Sequence, residues 1–213
     1  MHELLANIFE YLDAENLIRS GGFYLVLFIV FAETGLFFGF FLPGDYLLFL
    51  AGLFVASGMM DVSIYTLCGG LIIAGTAGNF VGYYFGMKAG PMLFKRDDSW
   101  FFKRKYIVMA EEFYNKYGGT ALILGRFMPI IRTFAPIFAG IVRLDFKRFV
   151  LYNILGCILW VSLLTLLGYF LGREFPQIVE YIEYIVIGFI VIATAPIAIA
   201  VIKKFFKKKD SEK

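Results

Sequence analysis

Apolar residues along this chain neither alternate nor keep to one helical face; they come in long runs. Ser63–Met87, Phe149–Gly172 and Tyr184–Ile202 carry no charged side chain over 25, 24 and 19 residues. About 20 helical residues cross a bilayer core, so each run predicts one membrane-spanning helix. Two further apolar stretches are interrupted. Residues 22–60 form one arm, then Leu42-Pro43-Gly44-Asp45, then a second arm Tyr46–Met60. Residues 119–142 hold Pro129 and Pro136. A proline removes a backbone donor and clashes with the preceding turn. Both stretches are therefore expected to be helical hairpins, broken at Pro43-Gly44 and at Pro129 and Pro136. Residues 119–142 offer only about one bilayer thickness for two passes, so a re-entrant hairpin is expected there. The arms of 22–60 are longer, and two complete crossings stay open.

An internal repeat ties these pieces together. Gly82-Tyr83-Tyr84-Phe85-Gly86 recurs as Gly168-Tyr169-Phe170-Leu171-Gly172, and the same offset of 86 maps Pro43 onto Pro129, Phe41 onto Phe127 and Gly70 onto Gly156. Each unit, about 22–87 and about 119–172, is a broken hairpin followed by one span. A unit with an odd number of full crossings must be inverted relative to its copy. Inverted repeats with broken helices are a transporter architecture. The expected fold is an all-α membrane protein: two re-entrant hairpins, each followed by a transmembrane helix, plus a C-terminal transmembrane helix within a domain of 22–202. Gly78, Gly82 and Gly86 share one helical face and suit close packing, with Asn79 a candidate interhelical hydrogen bond. Residues 1–21 are expected to form an amphipathic interfacial segment through Leu4, Leu5, Ile8, Leu12, Leu17 and Ile18. Residues 107–117 read likewise on the inner face.

Composition narrows the function. The chain is 60% hydrophobic and 17% charged, against about 45–50% and about 25% in ordinary globular domains. A soluble enzyme, a nucleic-acid binder and a disulfide scaffold are excluded. The single histidine, His2, permits neither a His metal cluster nor a His-centred triad, and no metal or cofactor is expected. Cys68 and Cys157 lie within apolar runs and read as packed thiols. Residues 1–21 are net acidic and lack the basic start of a cleavable signal peptide.

Charge also orients the chain. Residues 88–118, 143–148 and the tail 203–213 are net basic, and 173–183 is net acidic. Lysine and arginine mark the cytoplasmic side. The C-terminal tail is then cytoplasmic, and the acidic N-terminus lies on the outer side. Anchoring accounts for the basic clusters without any recruitment of lipid headgroups.

Four ionisable residues fall inside the hairpins: Glu33 and Asp45 in the first, Arg126 and Arg132 in the second. Each would cost at least about 2.5–3.5 kcal/mol unpaired at mid-bilayer. Docking the hairpins face to face could neutralise all four. Asp45 could instead cap the second arm, and a purely structural ion pair remains open. Arg126 and Arg132 would point apart on a continuous helix, but a break at Pro129 could turn both toward one site. There their donor forks would bind an anion such as phosphate, with the acids as proton-titratable partners.

Around these residues the chain resembles the DedA family, whose domain is shared with VTT-type lipid scramblases. Glu33-Thr34-Gly35-Leu36, Gly39 and Leu42-Pro43-Gly44-Asp45 resemble the family's acidic signature. Gly125-Arg126-Phe127-Met128-Pro129-Ile130-Ile131-Arg132-Thr133, Pro136 and Ala139-Gly140 resemble its arginine signature, and Gly78-Asn79, Gly82-Tyr83 and Gly86 a third block. The resemblance covers roughly residues 15–200. It implies that Glu33, Asp45, Arg126 and Arg132 are functionally required. It also implies a multi-pass protein of the bacterial cytoplasmic membrane that moves undecaprenyl phosphate, or in some members phospholipid, with dependence on proton-motive force. The partners expected are membrane lipids and protons, not nucleic acid; the oligomeric state stays open. A non-specific phospholipid scramblase and a proton-coupled small-ion transporter are the alternatives. A lipid-phosphate enzyme is disfavoured, since no histidine lies near the site.

Overall fold

The computed structural model describes residues 14–36, 44–95, 114, 117–127, 129–181, 184 and 187–188. Most of the N-terminal interfacial segment, Pro43, most of 107–117, all but three residues of Tyr184–Ile202 and the basic tail lie outside them. All regular structure among the described residues is helical. The elements are α1 (Ala14–Gly35), α2 (Gly44–Ala56), α3 (Ile64–Lys95), α4 (Thr120–Gly125), α5 (Pro129–Ile141) and α6 (Phe146–Glu174), followed by a short 3-10 helix at Pro176–Tyr181.

The two long uncharged runs within the described residues become the two long helices. Ile64–Gly90 of α3 and Phe146–Glu174 of α6 are long and apolar enough to cross a membrane. Polar residues start both. The Thr66 N–H donates to Ser63 Oγ at 3.1 Å, and the Arg148 N–H donates to Asp145 Oδ1 at 3.0 Å, satisfying donors that a helix start leaves orphaned. Helix α1 bends at Gly22, whose φ of 58° is open to glycine and strained for other residues.

The interrupted stretches form short helices. Gly22–Gly35, α2 and Ile131–Ile141 of α5 are all shorter apolar helices. Pro129 begins α5, where a missing N–H costs nothing. Pro136, expected to break this hairpin, does not: α5 runs through it. Its absent N–H deprives only the Arg132 carbonyl one turn earlier, and packed neighbours absorb such losses in membrane helices. Its ring fills the space opposite Gly82. Helix α5 ends with the Arg143 N–H on the Gly140 carbonyl (3.1 Å) and the Leu144 N–H on the Ala139 carbonyl (2.9 Å). This is a Schellman motif with Arg143 in the left-handed region at φ 52°.

Packing is crosswise. Helix α3 is flanked by α1 and α5, and α6 by α4 and α2. A Cβ on Gly52 or Gly168 would overlap a backbone carbonyl across the α2–α6 crossing, and one on Gly86 or Gly140 would do so across α3–α5. Small residues thus bring the backbones together, as membrane helices require when lipid is as apolar as leucine. Gly78 meets Thr34 and Phe31 of α1 just as closely, whereas a Cβ on Gly82 would sit 3.5 Å from its neighbours, in ordinary contact.

Helix α2 is buried nearly all round. Leu47, Leu48, Leu50, Ala51, Leu53 and Phe54 are inaccessible and share one core with Val26, Val30, Leu67, Leu71, Trp160 and Val161. A second core surrounds the stacked rings of Tyr83 and Phe149, 4.3 Å apart. Outward faces stay apolar: Leu151, Leu155, Leu159, Leu163 and Leu167 form an exposed stripe on α6 at four-residue spacing.

Candidate functional site

Four helices converge on a buried ion cluster. Glu33 lies in the last turn of α1, Asp45 in the first turn of α2, and Arg132 in the first turn of α5. Arg132 reaches both acids. Its Nη2 donates to Glu33 Oε1 and its Nη1 to Asp45 Oδ1. From α6, Trp160 Nε1 donates to the same Asp45 oxygen at 2.8 Å. The Trp160 ring lies under the guanidinium, 4.6 Å from centroid to Cζ, within cation–π range.

Local structure explains the convergence. The end of α1 meets the start of α2: the Glu33 carboxylate rests on Gly44, and a Cβ there would overlap it. The Gly44 N–H, at the positive end of α2, faces the same carboxylate. Arg132 stands at the N-terminus of α5, the unfavourable end for a cation, and two carboxylates offset that. The Arg132 and Glu33 side chains are 3% and 1% exposed and that of Asp45 is 31% exposed, so of these three residues Asp45 is the one that reaches the surface. Glu33 Oε2, Arg132 Nε and Thr133 Oγ1 are buried without a well-formed hydrogen bond among the described residues.

Arg126 goes elsewhere. It closes the short helix α4 and is 4% exposed. Its Nη2 donates to Asn153 Oδ1 at 2.5 Å and to the Asn153 carbonyl at 3.3 Å. Asn153 Nδ2 donates to the Thr76 carbonyl at 3.3 Å, and the Asn79 and Asn153 carboxamides meet at 2.7 Å. Turned over, the Asn79 carboxamide directs its oxygen to Arg126 Nη2 and its nitrogen to the Thr34 carbonyl. The Cys157 thiol lies beside the guanidinium. Gly156 makes room for the stem, since a Cβ there would lie 2.7 Å from Arg126 Nε.

The expected neutralisation of all four charges is therefore only partly realised. Glu33, Asp45 and Arg132 come together, while Arg126 has no ion pair among the described residues. The turn at Arg126 and Phe127 does separate the arginines from a single helix, but α3 and α6 intercept the first with asparagines. Asp45 spends its side chain on Arg132 and Trp160. Asn79 makes the expected contact with another helix, and both cysteines are free. Sequence reading missed Trp160 and Asn153. They lie seven residues apart, hence on one face of α6. A tryptophan in mid-span, away from the interfacial belts where this residue collects, was the available signal.

Comparison with known proteins gives the family of the chain. The VTT domain family matches residues 42–170. Protein DedA of Escherichia coli is 39% identical over 181 residues, covering 84% of this chain and 82% of that protein. An uncharacterized membrane protein of Mycobacterium leprae is 38% identical over 174 residues, 82% of this chain and 77% of its own. Inner membrane protein YqjA of Escherichia coli is 36% identical over 182 residues, 85% and 80% of the two chains. No solved structure matches. The chain is a membrane protein of the DedA family, built on a VTT domain.

Proposed function

We propose that this protein is a carrier that moves a phosphate-headgroup lipid across the bacterial cytoplasmic membrane, undecaprenyl phosphate being the favoured substrate, with protons as the coupling ion. The observation that carries the reading is the Arg132 cluster, in which a guanidinium of one hairpin is held by two carboxylates of the other. A structural pair needs one acid; the second leaves a carboxylate that can accept a proton without stranding the cation. Protonation of Glu33 or Asp45 then loosens the two halves, and an arriving phosphate monoester replaces the lost charge.

The architecture proposed is two inverted units with re-entrant hairpins. Helices α2 and α5 have 13 residues each, about 20 Å against a core of about 30 Å. Backbone that stops inside the membrane is tolerated only where protein encloses it, and α2 is enclosed on nearly every side. In each unit the first arm packs on its own long helix and the second on the other unit's, which is the exchange expected of two interlocked copies. The C-terminus is assigned to the cytoplasm and the N-terminus to the outer side from the charge pattern.

The test is lipid movement in proteoliposomes of the purified protein, with a labelled undecaprenyl phosphate analogue and a phospholipid control, with and without an imposed pH gradient. Gradient-dependent movement of the polyprenyl phosphate alone is expected. Movement of both lipids without a gradient makes the protein a scramblase. Movement of neither, with uptake of a soluble anion, makes it an ion transporter.

A further inference from the structure

The Arg132 cluster sets one guanidinium against two carboxylates, a surplus of one negative charge when both acids are ionised. The two acids are not equivalent. Asp45 stands in the first turn of α2, at the positive end of that helix, and its Oδ1 accepts from both Arg132 Nη1 and Trp160 Nε1. Glu33 stands in the last turn of α1, at the negative end. Its Oε1 accepts from Arg132 Nη2. Its Oε2 is buried without a well-formed hydrogen bond among the described residues, although the Gly44 N–H faces the carboxylate. Donors aimed at a buried carboxylate are what hold it as an anion, and the side-chain donors here converge on Asp45.

We propose that Trp160 is a positioning residue that keeps Asp45 as the standing counter-ion of Arg132, and that Glu33 is the acid that takes up and releases the coupling proton. This rests on the reading of the protein as a proton-coupled carrier, and it gives separate work to two acids of one hairpin. An indole N–H donates and never accepts, and its bond is strongest to an oxygen that keeps its charge. The same ring lies under the guanidinium, 4.6 Å from its Cζ, so one side chain ties Asp45 and Arg132 together. Proton uptake by Glu33 leaves Arg132 paired with Asp45, a neutral couple with no stranded charge. Uptake by Asp45 would weaken its bonds to Arg132 and to Trp160 at once. The charged groups that face Glu33 are Arg132 from α5 and Asp45 from α2. Helix α3 brings Gly78 against Thr34 and Gly35, and α6 brings Trp160 onto Asp45; neither carries a titrating group. Arg126 is the next charge, within electrostatic reach of Arg132. Exposure by itself would choose Asp45 as the titrating acid, since it reaches the surface; hydrogen bonding chooses Glu33.

The two choices part in infrared difference spectra of the purified full chain in detergent, recorded as the pH is lowered. A protonated carboxyl shielded from water shows its own C=O stretch. A single such band is expected in the wild type, absent in Glu33→Gln and kept in Asp45→Asn. Trp160→Phe retains an aromatic ring and removes the donor. The band should then roughly double, in two steps, as coupled carboxylates titrate, and adding Asp45→Asn should remove the gain. A Trp160 that merely packs would change the unfolding temperature and leave the band single, which overturns its positioning role. A band that survives in Glu33→Gln, or is lost in Asp45→Asn, overturns the assignment of the proton. Should Trp160→Phe fail to fold, Trp100→Phe leaves Trp160 as the sole indole beside an unaltered site. Its N–H is then followed by ultraviolet resonance Raman: a hydrogen bond kept through proton uptake upholds the role, and one lost with uptake overturns it. The carrier reading is tested apart, by gradient-driven movement of undecaprenyl phosphate in proteoliposomes. Lipid movement with a band that follows Asp45 overturns the assignment and leaves the carrier standing. A band that follows Glu33 without lipid movement upholds the assignment and overturns the lipid reading. Neither band nor movement in the wild type overturns both.

Discussion

Removing the Arg132 guanidinium leaves Glu33 and Asp45 close together with no cation between them. Breaking a buried pair from one side costs about 3–5 kcal/mol, whereas replacing every partner by neutral groups is often close to neutral. Arg132→Gln alone should therefore lower the unfolding temperature in detergent sharply. The triple change Glu33→Gln, Asp45→Asn, Arg132→Gln should recover most of it while abolishing lipid movement. A triple variant no more stable than the single one would show that the three residues are not one electrostatic unit. Trp160 permits a finer cut. Trp160→Phe keeps a ring beneath Arg132 and loses the N–H to Asp45, so a loss of about 1 kcal/mol is expected, reduced because Asp45 is partly exposed. Trp160→Ala also opens a cavity and should cost about 3–5 kcal/mol. Equal losses in the two variants would leave the indole N–H without a role. At this scale the presence of four charges was legible, because an ionisable residue within an apolar run has few excuses. Their division into an Arg132 triad and an Arg126 held by carboxamides was not. It depends on Asn79, Asn153 and Trp160, which the long helices contribute from 27 to 115 positions away in the chain.

Elements were easier to read than contacts. The runs at Ser63–Met87 and Phe149–Gly172 exceed a bilayer's thickness without a charge, and helices follow almost from length alone. Pro129 marks a helix start and Pro136 does not, because a proline's effect depends on whether neighbours can absorb one lost hydrogen bond. The repeat offset equates Gly82 with Gly168, yet the two differ in space. A Cβ on Gly168 would overlap the Phe49 carbonyl, whereas one on Gly82 would sit at an ordinary 3.5 Å. Gly82→Ala is accordingly expected within about 1 kcal/mol of wild type, with helix propensity in its favour. Gly168→Ala should destabilise by about 1–3 kcal/mol through overpacking of α2 against α6. Thermal unfolding of the pair in one detergent decides, and equal effects would mean that the α2–α6 crossing is looser than its backbone distances. Arg143 offers a converse case: glycine at its left-handed position should stabilise α5 by about 0.5–1 kcal/mol.

For the molecule as a whole, the question is which ends of the helices share a side of the membrane. If α3 and α6 each cross once and both hairpins return to the side they entered, Asp61 and Lys147 face opposite compartments. Leu36, at the close of α1 and 51% exposed, then lies within the bilayer rather than beyond it. If α1 and α2 instead crossed completely, Leu36 would emerge on the cytoplasmic side while Asp61 kept its place. Single cysteines at these three positions, in a background where Cys68 and Cys157 are replaced by alanine, separate the two arrangements with a membrane-impermeant maleimide. Asp61→Cys should label in intact cells, Lys147→Cys only after permeabilisation, and Leu36→Cys slowly or not at all from the cytoplasmic side. Fast labelling of Leu36→Cys from that side would convert the first hairpin into two full spans. The Glu33 cluster would then sit near one surface, where water and salt weaken an ion pair, and the coupling proposed for it would lose its physical basis. Depth in the membrane is thus what gives one arginine and two acids their importance, and it can be measured without knowing which lipid is carried.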